Sequence, residues 1–336
     1  MDYLFFDIEC ADGHRICSFG YVLIDDLFNI KQKRDWLVNP RCPFRLGGYR
    51  EGPSIELAYP KDEFYASPDF AARYSEIAEL FGAEDRLFFG HSVASDITFL
   101  ADACKRYNKK RLKFDAFDTQ MLYAKHDPEH RIRSLDGIMT DFGIDTNGLA
   151  EHKSCDDAEM TMLAAERLCE ELGCSLSALV EGNPDCVVNY KSIELMHIKS
   201  AVRKTVKACN KNYATCKKIP LASRRKIYIS DTIAAKDAEL RRELVRIAYR
   251  KGYAFSSDIE EADIVVTNGN LSAAERTRFP SAVEKVTTEK LSALLGAKVN
   301  AKGEAVVSLK RYFAIHGTPE QTKRKPVAAS LQSAKR

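Results

Sequence analysis

Asp7, Glu9, Asp96, His152 and Asp157 are the residues of this chain whose types and surroundings could do chemistry: four carboxylates and an imidazole, each beside an apolar segment able to carry it into a core. Carboxylate oxygens suit hard divalent cations. An imidazole, with a reference pKa of about 6.5, is the side chain best matched to general-base work near neutrality. Such a set fits metal-assisted hydrolysis of a phosphodiester, a poor electrophile shielded by its own negative charge. Asp7 and Glu9 lie in the apolar run Tyr3-Leu4-Phe5-Phe6-Asp7-Ile8-Glu9-Cys10, which predicts a buried strand with both acids on one face. Two like charges side by side in such a place are costly unless a cation lies between them. Asp96 opens a segment in which Ile97, Leu100 and Ala101 recur at helical spacing, so it stands near the start of a core-packed helix. His152 falls in a loop, and Asp157 near the first turn of a helix running through Met162, Leu163, Ala165 and Leu168.

Three segments in this order, Asp-Ile-Glu at 7–9, His91 to Asp96, and His152 to Asp157, resemble the motifs of the DEDDh 3′→5′ exonucleases, which include the proofreading ε subunit of bacterial replicative DNA polymerase. The resemblance covers roughly residues 1–175. Phe19-Gly20, Asn39-Pro40, Ser67-Pro68-Asp69-Phe70, Asp118-Thr119 and Ser134-Leu135-Asp136 extend it. It implies a ribonuclease H-like α/β domain with a mixed central sheet and two bound Mg²⁺ or Mn²⁺ ions. By resemblance, Asp7 bridges both ions, Glu9 and Asp157 hold the one on the nucleophile's side, Asp96 serves the leaving-group ion, and His152 takes the proton from the attacking water. Ile8, Cys10, Ala11, His91, Ser92 and Ser95 fall where the family meets the terminal nucleotide. The chain departs from the family there: Cys10-Ala11-Asp12-Gly13 replaces Thr-Thr-Gly, and Ser92 and Ser95 replace an asparagine and a phenylalanine.

The elements that must position these residues follow from periodicity and punctuation. Strands are predicted at 3–9, 17–25, 33–38, 86–90 and around 114–117, with helices near 69–82, 96–107, 118–125, 134–142 and 156–172, an α/β layer pattern. Residues 40–65, rich in Pro and Gly, read as an irregular excursion at the site's rim. Its Arg41, Arg45 and Arg50, with Phe44 and Tyr49, could grip and stack a single strand.

At 336 residues and 45% hydrophobic, the chain is long enough for two cores. No segment approaches a membrane span, and acidic Asp2 together with Asp7 and Glu9 argues against a secretory signal, so a cytoplasmic protein with no membrane partner is expected. Ten cysteines without a Cys-x-x-Cys pair read as reduced thiols, Cys10 and Cys155 among them as small buried filler.

Charge is distributed unevenly: residues 1–181 carry 21 Lys/Arg against 33 Asp/Glu, and residues 182–226 carry 11 against 2. An acidic catalytic domain joined to a basic connector is what a nucleic-acid backbone held outside the metal site would need. A helix at 191–210 offers Lys199, Arg203, Lys204 and Lys207 for that purpose. Beyond it, a strand at 226–230, a helix about Leu240–Ala248, strands at 262–267 and 283–286 and a helix from about Thr288 to Leu295 resemble a BRCT domain, although the hallmark tryptophan is absent and Asp231 stands where a glycine is usual. The expected domains are therefore an exonuclease domain at 1–178, a connector at 179–223, a smaller BRCT-like α/β domain at 224–298 that binds a protein partner, and a basic tail at 299–336, disordered from Thr318 onward. The expected function is metal-dependent removal of nucleotides from single-stranded DNA 3′ ends in repair or replication. The rival readings are an exoribonuclease, a polymerase proofreading subunit and a catalytically weak DNA-binding scaffold.

Overall fold

In the computed structural model the described residues are 1–46, 57–213, 220–231, 242, 245–246, 248–267, 271–279, 283–287, 290, 298–299 and 305–306. They fall into two compact units, Met1–Ile193 and Glu194–Arg336.

The first unit is built on a six-stranded mixed sheet. β1 (Asp2–Cys10), β2 (Ile16–Ile24) and β3 (Ile30–Leu37) form an antiparallel meander, β4 (Arg86–Gly90) and β5 (Ala116–Asp118) lie parallel to β1, and β6 (Val187–Val188) closes the far edge antiparallel, in the order β3-β2-β1-β4-β5-β6. The two faces of β1 enter different cores, which is why its sequence reads as an unbroken apolar run. Leu4, Phe6, Ile8 and Cys10 join a cluster with residues of α2 (Phe70–Phe81) and α3 (Ala94–Arg106). Tyr3 and Phe5 face the other way, against Ala158, Met162 and Leu168 of α6 (Ser154–Leu172). Asp7 and Glu9 continue the Tyr3-Phe5 row, so the face toward α6 turns from apolar to acidic at the strand's end.

The remaining helices are α1 (Lys61–Ala66), α4 (Thr119–His126), α5 (Leu135–Phe142) and α7 (Leu176–Gly182). Side chains cap four of this unit's helix starts: Asp69 accepts from Ala72 N at 3.2 Å, Ser134 from Gly137 N at 3.2 Å, Asp118 from Gln120 N at 3.0 Å, and Ser175 from Ala178 N at 3.2 Å. Each satisfies an otherwise orphaned N–H. α1 interrupts the stretch read as an irregular excursion: Pro60 precedes it and Asp62 and Glu63 fill its first turn, start signals compressed into six residues. α7 and β6 also arise where the sequence suggested a connector, because Leu176, Leu179 and Cys186 complete the core under α6 and Val188 joins the opposite one. Arg50 and Tyr49 of the excursion lie outside the described residues.

The boundary between units falls within α8 (Tyr190–Tyr213). The second unit holds a wholly parallel sheet of β7 (Lys226–Ile229), β8 (Ala254–Phe255), β9 (Ile264–Val266) and β10 (Glu284–Val286), in the order β10-β9-β7-β8. Val245, Ala248 and Tyr249 from a helical stretch between β7 and β8 share its core with Ile198, Val202 and Cys209 of α8. A short helix, Ala273–Thr277, lies between β9 and β10. The expected helix from Thr288 to Leu295, apart from Lys290, and the tail from Thr318 lie outside the described residues. Among the described residues no helix is long and apolar enough to cross a membrane.

Candidate active site

The five residues singled out in the sequence come together at the carboxyl ends of β1, β4 and β5, the edge where open α/β sheets bind ligands. Asp7 and Glu9 end β1, Asp96 sits in the first turn of α3, and Asp157 in the first turn of α6, with His152 in the loop before it. Gly20 lets α6 approach this closely. It lies opposite Asp7 in the β1/β2 ladder, and a Cβ there would stand 2.0 Å from Cys155 N and from the Ser154 carbonyl carbon.

Electrostatics bind the acids into one group. Asp7 is pushed well above the usual carboxylate range, first by burial and then by the charges of Asp96, Asp157 and Glu9. Asp96 is raised by burial, and Asp157 is pushed up to about 7 by burial and by Glu9. Burial also raises Glu9, although it hydrogen-bonds to His152, whose Nδ1 lies 3.1 Å from Glu9 Oε1. Asp7 Oδ2 is buried with no hydrogen-bond partner, and ligand atoms of Glu9, His152 and Asp157 all lie within 4.8 Å of one another. An orphaned carboxylate oxygen among other acids is a poor arrangement for protein alone and a good one for a hard divalent cation. The donor set therefore fits Mg²⁺ or Mn²⁺.

Two further buried aspartates, Asp118 and Asp156, hold the loops in place. Asp118 accepts from Ser92 N at 3.1 Å and Val93 N at 3.2 Å, pinning the turn that feeds Asp96 into α3. Asp156, 1% exposed, binds Lys33 of β3 on one oxygen; on the other it accepts from Ala150 N at 3.2 Å and Lys153 Nζ at 3.0 Å. It thereby ties both sides of the turn at Glu151-His152, where His152 takes φ +58°. The signal in sequence was Asp156, the first aspartate of Asp156-Asp157, which the motif spacing of Asp157 eclipsed.

The nucleotide-side residues are placed unevenly. Ile8, Cys10 and Ala11 are buried in cores, and the Ala11 backbone is already spent on Arg15 O at 2.8 Å and Arg45 N at 2.7 Å. Burial raises the Cys10 thiol and pushes Cys155 up to about 12, which leaves both as inert filler. The nine cysteines among the described residues are free thiols. Ser92 and Ser95 are exposed at the start of α3. His91 is pushed down to about 4 by burial, and its Nε2 lies 3.2 Å from Arg133 O, so it is a neutral link between loops. Arg41 is exposed but paired with Asp69 at 3.1 Å; Arg45 is exposed, and Phe44 packs on Phe64.

Residues 60–168 match the family model described as DEDDh_C, DNA polymerase III subunit epsilon-like, C-terminal domain. The matched span is similar to that domain. It holds Asp96, His152 and Asp157; Asp7 and Glu9 precede it and join the site through β1. Exonucleases of the DEDDh type use divalent metal ions, Mg²⁺ or Mn²⁺. The DNA polymerase III subunit epsilon of Aquifex aeolicus (strain VF5) is 33% identical over 88 residues, 26% of this chain. The chain spans 43% of that relative's length. Among solved structures, this chain is similar to the nuclease domain of 3′hExo bound to rAMP, at 16% identity and TM-score 0.44 over 52% of this chain and 93% of that one. It is also similar to exonuclease I, at 17% identity and TM-score 0.44 over 54% of this chain and 42% of that one.

Proposed function

We propose that this chain is a metal-dependent 3′→5′ exonuclease acting on single-stranded DNA 3′ ends, in repair or replication. The convergence of Asp7, Glu9, Asp96 and Asp157 around a buried carboxylate oxygen without a partner carries this reading. These four residues would hold two Mg²⁺ or Mn²⁺ ions. Ions bound there supply neutralisation of the phosphate charge and activation of water. Glu9 holds Nδ1 of His152, which leaves Nε2 of the same ring to accept the water's proton. Asp156 and Asp118 keep the two loops in register with the strand ends. Ser92 and Ser95 offer hydroxyls to the terminal nucleotide, and Arg41 and Arg45 offer charge to the strand behind it.

Residues 224–298 are, in this reading, a BRCT-like module that recruits a protein partner. The alternation of helical segments with the four parallel strands supports it. The test is digestion of matched 5′-labelled single-stranded DNA, duplex DNA and RNA with Mg²⁺ and Mn²⁺. A metal-dependent ladder shortening from the 3′ end of DNA is expected. No cleavage with either ion, or internal cuts, would overturn the exonuclease; faster shortening of RNA would replace DNA as the substrate.

A further inference from the structure

The cations of α8 are not all available: Lys199 is paired with Asp231 at 2.6 Å, while Arg203, Lys204 and Lys207 are exposed. A denser group lies in the first unit, where a charge count over residues 1–181 hides it. Residues 105–113, Lys-Arg-Tyr-Asn-Lys-Lys-Arg-Leu-Lys, hold six of that span's 21 Lys/Arg and no acid. Lys105 and Arg106 close α3, and cations are favoured at a helix's carboxyl end. That reason stops with the helix. Lys109, Lys110, Arg111 and Lys113 follow it, and among the described residues none of them makes an ion pair. Aromatic rings stand where carboxylates would. The Arg111 guanidinium lies 4.0 Å from the centre of the Tyr190 ring, and Lys109 Nζ 5.4 Å from that of Tyr74. The Tyr74 hydroxyl donates to Lys110 O at 2.7 Å and anchors the backbone of the run. Arg111 and Lys113 share a groove of about 410 Å³ with Lys191, which also makes no ion pair among the described residues. Leu112, Phe114 and Tyr190 give the groove apolar surface, and Ile97, the residue after Asp96, lines it as well. Asp115 is the one carboxylate on its lining among the described residues, and Asn189 Nδ2 donates to it at 2.9 Å.

We infer that this groove, with Lys109 and Lys110 next to it in the chain, holds single-stranded nucleic acid upstream of the 3′ end. Like charges gathered without anions repel one another, and exposed side chains repay the fold nothing for it. Cations set among rings suit a strand in which phosphates and bases alternate. Arg111 is already seated on a ring, so its planar fork loses less freedom on meeting a phosphate than a fully solvated side chain would. Such a site reads charge and stacking, not sequence. The choice of nucleic acid over another polyanion rests on the nuclease reading; the uncompensated charge does not. On that reading α3 joins the two sites, with Asp96 in its first turn and Lys105 and Arg106 in its last, about 14 Å along its axis at about 1.5 Å per residue. A strand with its 3′ end at the acids reaches the basic run a few nucleotides upstream.

The experiment is a fluorescence-anisotropy salt titration of the full chain with a 5′-labelled single-stranded oligodeoxynucleotide in EDTA, where nothing is cleaved. Lys110→Gln, Arg111→Gln and Lys113→Gln together are expected to weaken binding at least tenfold and to flatten log K against log salt by about 2 units, at about 0.7 per lost contact on single strands. A second variant, Lys191→Glu, changes an exposed position on another segment of the groove, is expected to weaken binding several-fold, and guards against misfolding of the triple variant. Unchanged affinity and slope in both variants would overturn the site, as would a wild-type chain that binds no DNA at low salt. Polyglutamate of equal length displacing the DNA as well as unlabelled DNA does would overturn the nucleic-acid occupant. A wild-type chain whose binding depends on these residues yet which hydrolyses no substrate with Mg²⁺ or Mn²⁺ would remove the nuclease reading and leave the strand site standing.

Discussion

At the scale of single residues, the acids act on stability and catalysis in opposite senses. Asp157 has its folded pKa raised to about 7 from 3.8, so the ion-free native state binds more protons than the unfolded chain between those values. Stability from this group is therefore lost as pH rises through that window. Asp157→Asn should hydrolyse no substrate yet melt higher than wild type at pH 8 in EDTA, with the gap closing toward pH 5. Thermal melts across pH decide it, and a gap that widened at low pH would contradict the sign. His152→Ala should slow turnover by about 10²–10⁴-fold, the contribution of a general base. The pH–rate profile checks the role: the variant should lose the rising limb that a general base gives wild type, while apparent metal affinity changes little. All five of these residues were legible because motif spacing is written in the chain. Asp156 was not, since a clamp is defined by Lys33 and Ala150, partners 123 and 6 positions away.

At the scale of elements, the long pieces were legible and the short ones were not. β1, α2, α3 and α6 announce themselves through apolar periodicity, and Asp69, Asp118 and Ser134 mark helix starts by their capping chemistry. α1, α7 and β6 are too short for a period to register, and β6 depends on its pairing with β5. Gly20 shows how an element's position can hang on one missing atom. Gly20→Ala places a methyl group against the backbone at Ser154-Cys155, which no rotamer can relieve. It should cost stability at or above the upper end of about 1–3 kcal/mol and displace Asp157 enough to remove most activity. A denaturant midpoint together with initial rates tests both effects; normal rates in a destabilised protein would separate the glycine from the site.

At the scale of the molecule, the two units and the uneven charge belong together. The segment at 182–226 carries a surplus of nine positive charges, whereas residues 1–181 carry a deficit of twelve. Residues 1–193 expressed alone should fold and cleave short oligonucleotides at a rate within a few-fold of the full chain, since every candidate catalytic residue lies in the first unit. Binding of long single strands should be weaker, with a flatter salt dependence. Measuring both on the same fragment checks the division of labour; a fragment that bound long DNA as tightly as the full chain would refute it.

The left-handed backbone of His152 bears on how this protein could change over generations. A left-handed residue that is not glycine is tolerated best when it is asparagine, aspartate or histidine. Asparagine is a single codon base away from histidine and would take up the same turn without backbone strain. One mutational step could thus silence the proposed proton transfer while leaving the fold and the acids intact. The nearest mutational descendant of a nuclease built this way is a well-folded protein that still binds its ligand and no longer cuts it.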